Sequence, residues 1–442
     1  MLHLVEKFYL EGIMKKQNEK VLILTLSGGG GHLQAARAKH LELLEQGYTT
    51  IIQKDTFIDF LGKYLGGLMS GFWNYSQRHG RLYTTLFFSL CSNIFDFLIT
   101  PIFLCKILFL LKKYQITRVI DTQHIGTKST IKAIRILKFF TKKTIRYEKV
   151  LTDLPTKQCR HYFKSFQKLS TKDKEYIKVI TTKPLLEECT DEREFWEKRT
   201  GLDLSNIKYD KFPLRPTFNS YEKTNDQLII TFNTYTPEDT LNICSCLAFG
   251  DMEFTREKNT LTYTSKNETL SLITLGSYPQ KSLLINYMHL FIEQKKKLCP
   301  ERKEILFLLV GSPKTSAEYY EAIIAELLQI EEYPKNLTII PLAFQDDTVL
   351  APLYHHIDFI IAKSGGLTTM ELLHTVNTNI FIHDSETLKI KGLEFDLMPP
   401  WERGNANYLI EKKKAQMINL GLFSLVTSDF FSLSTNVGQL NA

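Results

Sequence analysis

Residues 20–44 read KVLILTLSGGGGHLQAARAKHLELL, and the two ends of this stretch follow different periods. Residues 20–26 form a short apolar, β-rich run, whereas residues 33–44 are apolar at helical spacing. Ser27, four glycines and His32 stand between them. The stretch is therefore a strand, a glycine turn and a helix. From Gly28 through Gly29, Gly30 and Gly31 no Cβ shields the backbone, so N–H groups and the helix N-terminus can approach an anion or a polar acceptor closely. No Gly-Lys-Ser/Thr closes the turn, and Leu33 stands where a G-x-G-x-x-G pattern needs its last glycine, which disfavours an ordinary triphosphate or dinucleotide site. A tight turn without a ligand is the plain alternative. His32 falls at the helix start, where the positive end of the dipole favours a neutral imidazole, and such a group beside a substrate hydroxyl could serve as general base.

Outward from this unit the alternation repeats. Residues 49–53, 118–121 and 149–152 read as further strands with helical or apolar material between them. In the later half, residues 270–275 run into Gly276 and Ser277, 305–310 into Gly311 and Ser312, and 359–362 into Lys363, Ser364, Gly365 and Gly366, with another strand at 337–341. Strands alternating with helices imply parallel, doubly wound α/β sheets, whose ligands collect beyond the carboxyl ends of the strands. A chain of 442 residues is too long for one core. We expect an N-terminal extension (1–19), a first lobe (20–212), a linker (213–226) and a second lobe (227–423) carrying an insertion at about 230–270, then a tail (424–442). The linker follows from Lys211-Phe-Pro-Leu-Arg-Pro-Thr217, whose prolines fit neither a helix interior nor a central strand. Residues 228–270 are Thr/Asn-rich, lack a helical period and read as a hairpin-like insertion.

In the second half, the turn at Ser364, Gly365 and Gly366 precedes Thr368 and Glu371. Hydroxyl and backbone donors suit a diphosphate and a carboxylate suits ribose hydroxyls; dipole compensation early in a helix is the alternative for Glu371. Pro400-Trp-Glu-Arg-Gly-Asn405 sets acid, basic and amide side chains around a glycine, so Glu402, Gly404 and Asn405 can read sugar hydroxyls, or form a solvent-facing turn. No Asp-x-Asp motif occurs; Asp251-Met-Glu253 comes nearest, and a metal-independent site without a cofactor is expected.

The sequence carries 55 basic and 48 acidic residues, but residues 106–168 hold sixteen basic against three acidic ones. That stretch suits phosphate groups or an anionic membrane, or is a solvated face. Nucleic acid is a weaker reading, since no recognition motif accompanies the charge. Seven scattered cysteines fit reduced thiols in the cytoplasm. Residues 1–14 do not read as a secretory signal. The apolar segment 82–111 is broken by Asp96, Pro101 and Lys106, so one or two buried or interfacial helices are expected instead of a membrane span.

Ser27 to His32, Val150-Leu-Thr-Asp153, Ala362 to Leu373 and Glu402 to Leu409 (ERGNANYL) together resemble the GT-B glycosyltransferases of the monogalactosyldiacylglycerol synthase and processive diacylglycerol glucosyltransferase family, which is related to the lipid II-forming N-acetylglucosaminyltransferase. In order and spacing they cover most of residues 20–415. The resemblance implies two Rossmann-like lobes facing a cleft, a UDP-sugar donor, a lipid acceptor and inverting hexosyl transfer at a membrane surface. It makes His32 the base or acceptor-positioning residue, Glu371 the ribose-binding glutamate and Glu402 with Asn405 the sugar-reading segment. Phe344 falls in the uracil-contacting loop, and His124 joins the glycine turn on the acceptor side. The second lobe departs from the pattern, its first glycine loop being reduced to Leu275-Gly-Ser-Tyr-Pro279. A UDP-sugar 2-epimerase and an inactive relative that binds UDP-sugar or lipid are the competing readings.

Overall fold

The computed structural model describes residues 19–28, 30–79, 82–223, 227–250, 255–257, 260–265, 268–298, 303–313, 315–375, 378–385, 387–390, 393–396, 398–413 and 415–425. Gly29, the stretch from Asp251 to Glu253 and nearly all of both expected terminal segments lie outside them.

The first sheet is built from β1 (Lys20–Thr25), β2 (Thr50–Asp55), β3 (Arg118–Asp121), β4 (Arg146–Val150), β5 (Ile177–Thr181) and β6 (Ile207–Tyr209). All its pairings are parallel, in the order β2-β1-β3-β4-β5-β6. Its helices include α1 (Gly30–Glu45), α2 (Leu61–Arg78), α3 (Leu82–Lys113), α4 (Thr127–Thr141) and α5 (Arg160–Gln167). A linker segment then leads to β7 (Ile229–Asn233), α6 (Pro237–Leu247), β8 (Thr255–Glu257) and β9 (Thr260–Thr264).

The second sheet contains β10 (Thr269–Thr274), β11 (Glu304–Gly311), β12 (Leu337–Ala343), β13 (Phe359–Ala362) and β14 (Asn379–His383). An antiparallel hairpin, β15 (Thr387–Ile390) with β16 (Leu393–Asp396), precedes the last strand of that sheet, β17 (Gln416–Ile418). The order β12-β11-β10-β13-β14-β17 is again parallel. Its helices include α7 (Ser316–Leu328), α8 (Asp347–His356), α9 (Gly366–Leu373) and α10 (Pro400–Lys413). Every residue of β10, β11 and β12 is buried, as a parallel strand covered on both faces requires. The protein is thus a two-lobed, doubly wound α/β structure of the GT-B type. Strand order reverses at β1 in one lobe and at β10 in the other, so the turns after these strands stand at the two switch points.

The insertion differs from its sequence reading. It is no simple hairpin: β7, β9 and β8 form a separate antiparallel sheet, and a helix lies between β7 and β8. The sequence shows no apolar helical period there because the buried face of α6 is written in Asp239, Thr240, Ile243 and Cys246 instead of leucines. Pro237 and a reciprocal cap between Thr236 and Asp239 start it. The 149–152 strand is also misplaced: β4 begins at Arg146, its inward Tyr147 and Lys149 being polar in sequence but buried against Asp121. Glu371 sits in the second turn of α9, and Trp401 and Glu402 open a helix instead of a turn.

Segment 82–111 is one helix that continues through Pro101. Ile99, Phe103, Ile107 and Leu111 are buried in the lobe, whereas Phe97, Leu98, Ile102 and Phe109 are exposed. Among the described residues, no helix is long and apolar enough to cross a membrane.

Candidate active site

The turns after β1 and β10 meet across a cleft of about 570 Å3 that both lobes line. They come so close that a Cβ on Gly30 would overlap the Ser277 hydroxyl. From the first lobe the cleft receives Gly28, Gly30, Gly31, His32 and His124. From the second it receives Gly276, Ser277, Gly311 and Phe344, and around α9 and α10 Gly365, Gly366, Thr368, Glu371 and Glu402. Gly276 has φ of +88°, a conformation open to glycine at little cost, which turns the Leu275–Ser277 backbone toward the cleft.

His32 is fixed through one edge of its ring. Nδ1 lies 2.8 Å from Thr122 O and 2.9 Å from Thr152 Oγ1. The Tyr162 hydroxyl donates to the same Thr122 carbonyl at 3.0 Å and stands 2.8 Å from Thr152 Oγ1. A carbonyl only accepts, so the proton belongs on Nδ1 and the lone pair on Nε2, which has no partner among the described residues. Burial pushes the imidazole down to about 4; the Asp153 charge and the Thr122 bond oppose this, while His161 and Lys149 add to it. The ring is neutral at physiological pH.

His124 lies 5.5 Å from His32, centroid to centroid, and His161 lies 5.5 Å beyond His124. Burial, together with both neighbouring histidines, holds His124 well below its ordinary value, and its Nδ1 is buried without a hydrogen-bond partner. His161 Nε2 meets Asp153 Oδ2 at 3.1 Å. Burial raises the Asp153 carboxyl, but His161, the Asn405 amide and His32 outweigh it and leave the group below the usual carboxylate range. Among the described residues, no three His, Cys, Asp or Glu are grouped to hold a metal ion.

On the donor side, Arg215 from the linker donates to Glu371 Oε1 through Nε at 2.7 Å, and its Nη2 lies equally close. Among the described residues, the hydrogen bond and ion pair of Glu371 both fall on Oε1. Burial raises this carboxyl against the lowering effect of Arg215. Lys363 Nζ reaches Glu402 Oε1 at 3.2 Å and donates to Gln77 Oε1 of the first lobe at 3.0 Å. Glu402 Oε2 is buried and unpartnered.

Four candidates stand outside the cleft lining. Ser364 is fully buried and spends its hydroxyl on Glu402 O at 2.8 Å. Ser312 instead receives bonds from Thr315 at the start of α7. Gly404 packs against the first lobe, where a Cβ would overlap Thr156 Oγ1. Asn405 is 0% exposed: Oδ1 accepts from Leu154 N at 2.8 Å, and Nδ2 donates to Asp153 Oδ1 at 2.9 Å and Ser364 O at 3.0 Å. Both amide protons go to protein, so Asn405 ties the lobes together and its amide has no donor left for a sugar.

Sequence reasoning missed Arg215, Lys363, Asp153, His161, Trp73 and Trp401 as cleft residues. Arg215 is framed by two prolines, and Asp153, Lys363 and Trp401 stand inside quoted motifs, whereas His161 and Trp73 carried no local signal. The two tryptophans stack across the lobes at 6.3 Å, centroid to centroid.

No family model matches the chain, and no curated protein matches it. Among solved structures it is similar to Acinetobacter baumannii MurG, with 14% identity over 95% of this chain and 91% of that one and a TM-score of 0.47. It is also similar to Arabidopsis thaliana UGT89C1 complexed with UDP-L-rhamnose, at 11% identity, 94% and 89% coverage and a TM-score of 0.47. A third is Methanocaldococcus jannaschii UDP-GlcNAc 2-epimerase with UDP-GlcNAc and UDP, at 11% identity, 94% and 92% coverage and a TM-score of 0.42. At these values the chemistry of the cleft has to be argued from its own residues.

Proposed function

We propose that the chain transfers a hexose from a UDP-sugar to a lipid hydroxyl at a membrane surface, by an inverting displacement that needs neither metal nor cofactor. The observation that carries this is His32, held as the Nδ1–H tautomer with Nε2 unpartnered among the described residues, in the cleft that the turns after β1 and β10 both line. Nε2 takes the acceptor hydroxyl's proton while that oxygen attacks the anomeric carbon from the side opposite the diphosphate. The bond from that carbon to the diphosphate breaks, and UDP leaves. Backbone N–H groups at Gly276 and Ser277, the N-terminus of α9 and the Lys363 ammonium meet the charge that develops on it. Glu371 Oε2 suits the ribose hydroxyls, the free Glu402 Oε2 suits a hydroxyl of the sugar, and the Phe344 loop suits the uracil.

Support for a lipid acceptor comes from the first-lobe wall, where Met69, Trp73 and Leu98 line the cleft. The outer sides of the same helices expose Tyr64, Leu65, Leu68, Phe72, Phe97 and Ile102. Apolar side chains on the cleft wall and on the outer face of the same helices suit an acyl chain. Basic residues concentrated in 106–168 favour an anionic membrane for peripheral attachment.

The test is release of UDP from UDP-glucose, UDP-galactose and UDP-N-acetylglucosamine, with and without anionic liposomes containing diacylglycerol. Lipid-dependent release that His32→Ala loses is the expected outcome; turnover undiminished in that variant sinks the assignment. A 2-epimerase reading keeps one observation in its favour, since two carboxylates besides Glu371, those of Asp153 and Glu402, line the same cleft. Free epimerised sugar nucleotide among the products would select it.

A further inference from the structure

Among the described residues, the segment from Ile229 to Thr264 adds no strand to either large sheet, so its use must lie in what it touches. β7 ends at Asn233, whose N–H donates to Gln345 Oε1 at 3.0 Å and whose carbonyl accepts from Gln345 Nε2 at 3.1 Å. Gln345 Nε2 also donates to Ala343 O at 3.1 Å, so this buried side chain is consumed in bracing its own loop. Two residues after Asn233, the Tyr235 hydroxyl donates to Phe344 O. Burial and the carboxylates of Asp346 and Asp239 raise the Tyr235 phenol, which therefore remains a donor well above neutral pH. From the opposite side Phe344 N donates to Gly311 O at 2.7 Å. Ser316 Oγ, donating to Asp239 Oδ1 at 3.3 Å, ties α6 to the start of α7.

The loop gripped in this way forms part of the cleft. Phe344 and Gln345 line it together with Leu309, Leu350 and Tyr354, an apolar wall that suits the face of a flat heteroaromatic ring. We propose that the insertion is a positioning element for the nucleoside end of the donor site, with Tyr235 holding the Phe344 loop at the height where the base seats. This rests on the UDP-sugar reading given above. Tyr235 acts through the loop and touches no reacting atom. The small sheet and α6 serve as the rigid mount from which Tyr235 and Asn233 reach, which gives a purpose to a segment the large sheets do not use.

Tyr235→Phe tests this directly, because a side chain 46% exposed loses one hydrogen bond without leaving a cavity. Affinities for UDP, uridine and inorganic diphosphate are measured by calorimetry on the full chain, with transfer kinetics alongside. The dissociation constants for UDP and uridine should rise about three- to tenfold, the range a single hydrogen bond spans. Inorganic diphosphate should bind as before, and KM for the donor should rise with kcat at saturating donor held within about twofold. Unchanged uridine affinity, or a parallel loss of diphosphate binding, overturns the positioning role while leaving the transferase reading intact. A wild-type chain that binds diphosphate and no uridine overturns both.

Discussion

His32 concentrates the site's chemistry in one nitrogen. Because its pKa lies at about 4, the imidazole is already deprotonated through the range where a free histidine titrates. The acid limb of kcat/KM assigned to it should therefore fall near 4 instead of near 6.5, with a plateau from about one unit above. An acid limb near 6.5 in a pH–rate profile would mean that another group is the base. His32→Ala should lower transfer by about 10²–10⁴-fold and keep UDP affinity within about twofold, as judged by titration calorimetry. Asn405 illustrates what a sequence hides at this scale. An amide beside a candidate sugar-reading glutamate looks like a ligand contact, yet its partner Leu154 N is 251 residues away in the chain. Asn405→Ala should cost about 1–3 kcal/mol of stability in urea denaturation, because a buried backbone N–H loses its acceptor. Glu371 was legible as a carboxylate in the helix after the Ser364 turn, but its Arg215 partner, 156 residues away, was not.

Secondary-structure elements were legible where a period changed abruptly and illegible where burial was carried by polar letters. The strand-turn-helix of β1 and α1 stands out because a continuous apolar, β-rich run gives way to helical spacing across four glycines. β4 was displaced because Tyr147 and Lys149 are buried as partners of Asp121, which no apolar pattern records. The apolar segment 82–111 gave the right element, and from Phe97 onward α3 buries Ile99, Phe103, Ile107 and Leu111 while exposing Phe97, Leu98, Ile102 and Phe109. Its neighbour α4 extends the exposed surface: Phe139 and Phe140 are 72% and 76% exposed, and Lys142 lies over the Phe139 ring. Aromatic rings beside lysines at the end of one helix have the composition of a membrane-surface contact, in which neither apolar insertion nor charge alone binds firmly. Replacing both phenylalanines with serine should weaken sedimentation with anionic liposomes about tenfold or more, following the area term for burying aromatic side chains. The residual binding should fall with added salt. Equal sedimentation of the double variant, or indifference to salt, would assign this face another role.

At the level of the whole molecule, activity depends on two lobes meeting within a narrow tolerance, and the glycines at their contact set it. A Cβ on Gly366 would overlap the carbonyl oxygen of Thr152 and crowd Asp153 Oδ1, whereas one on Gly30 would strike only the Ser277 hydroxyl. The difference is between a backbone that must move as part of a lobe and a hydroxyl that can rotate aside. Gly366 is the first residue of α9 and its backbone is not among the positive-φ glycines, so alanine there is compatible with the helix and the second lobe should still fold. The cost falls on closure. Gly366 opens α9, and a lobe displaced there carries the helix N-terminus away from Asp153 and His32 and breaks the Asn405 bonds to Asp153 and Leu154. Gly366→Ala should therefore keep a cooperative melt near the wild-type temperature, enlarge the radius of gyration seen by X-ray scattering, and lower kcat/KM by about 10²-fold, the effect of roughly 1 Å misplacement. Gly30→Ala should stay within about tenfold, since Ser277 can turn away. If the two substitutions prove equal in scattering and rate, the closed arrangement is not the working one, and the lobes must meet differently during transfer.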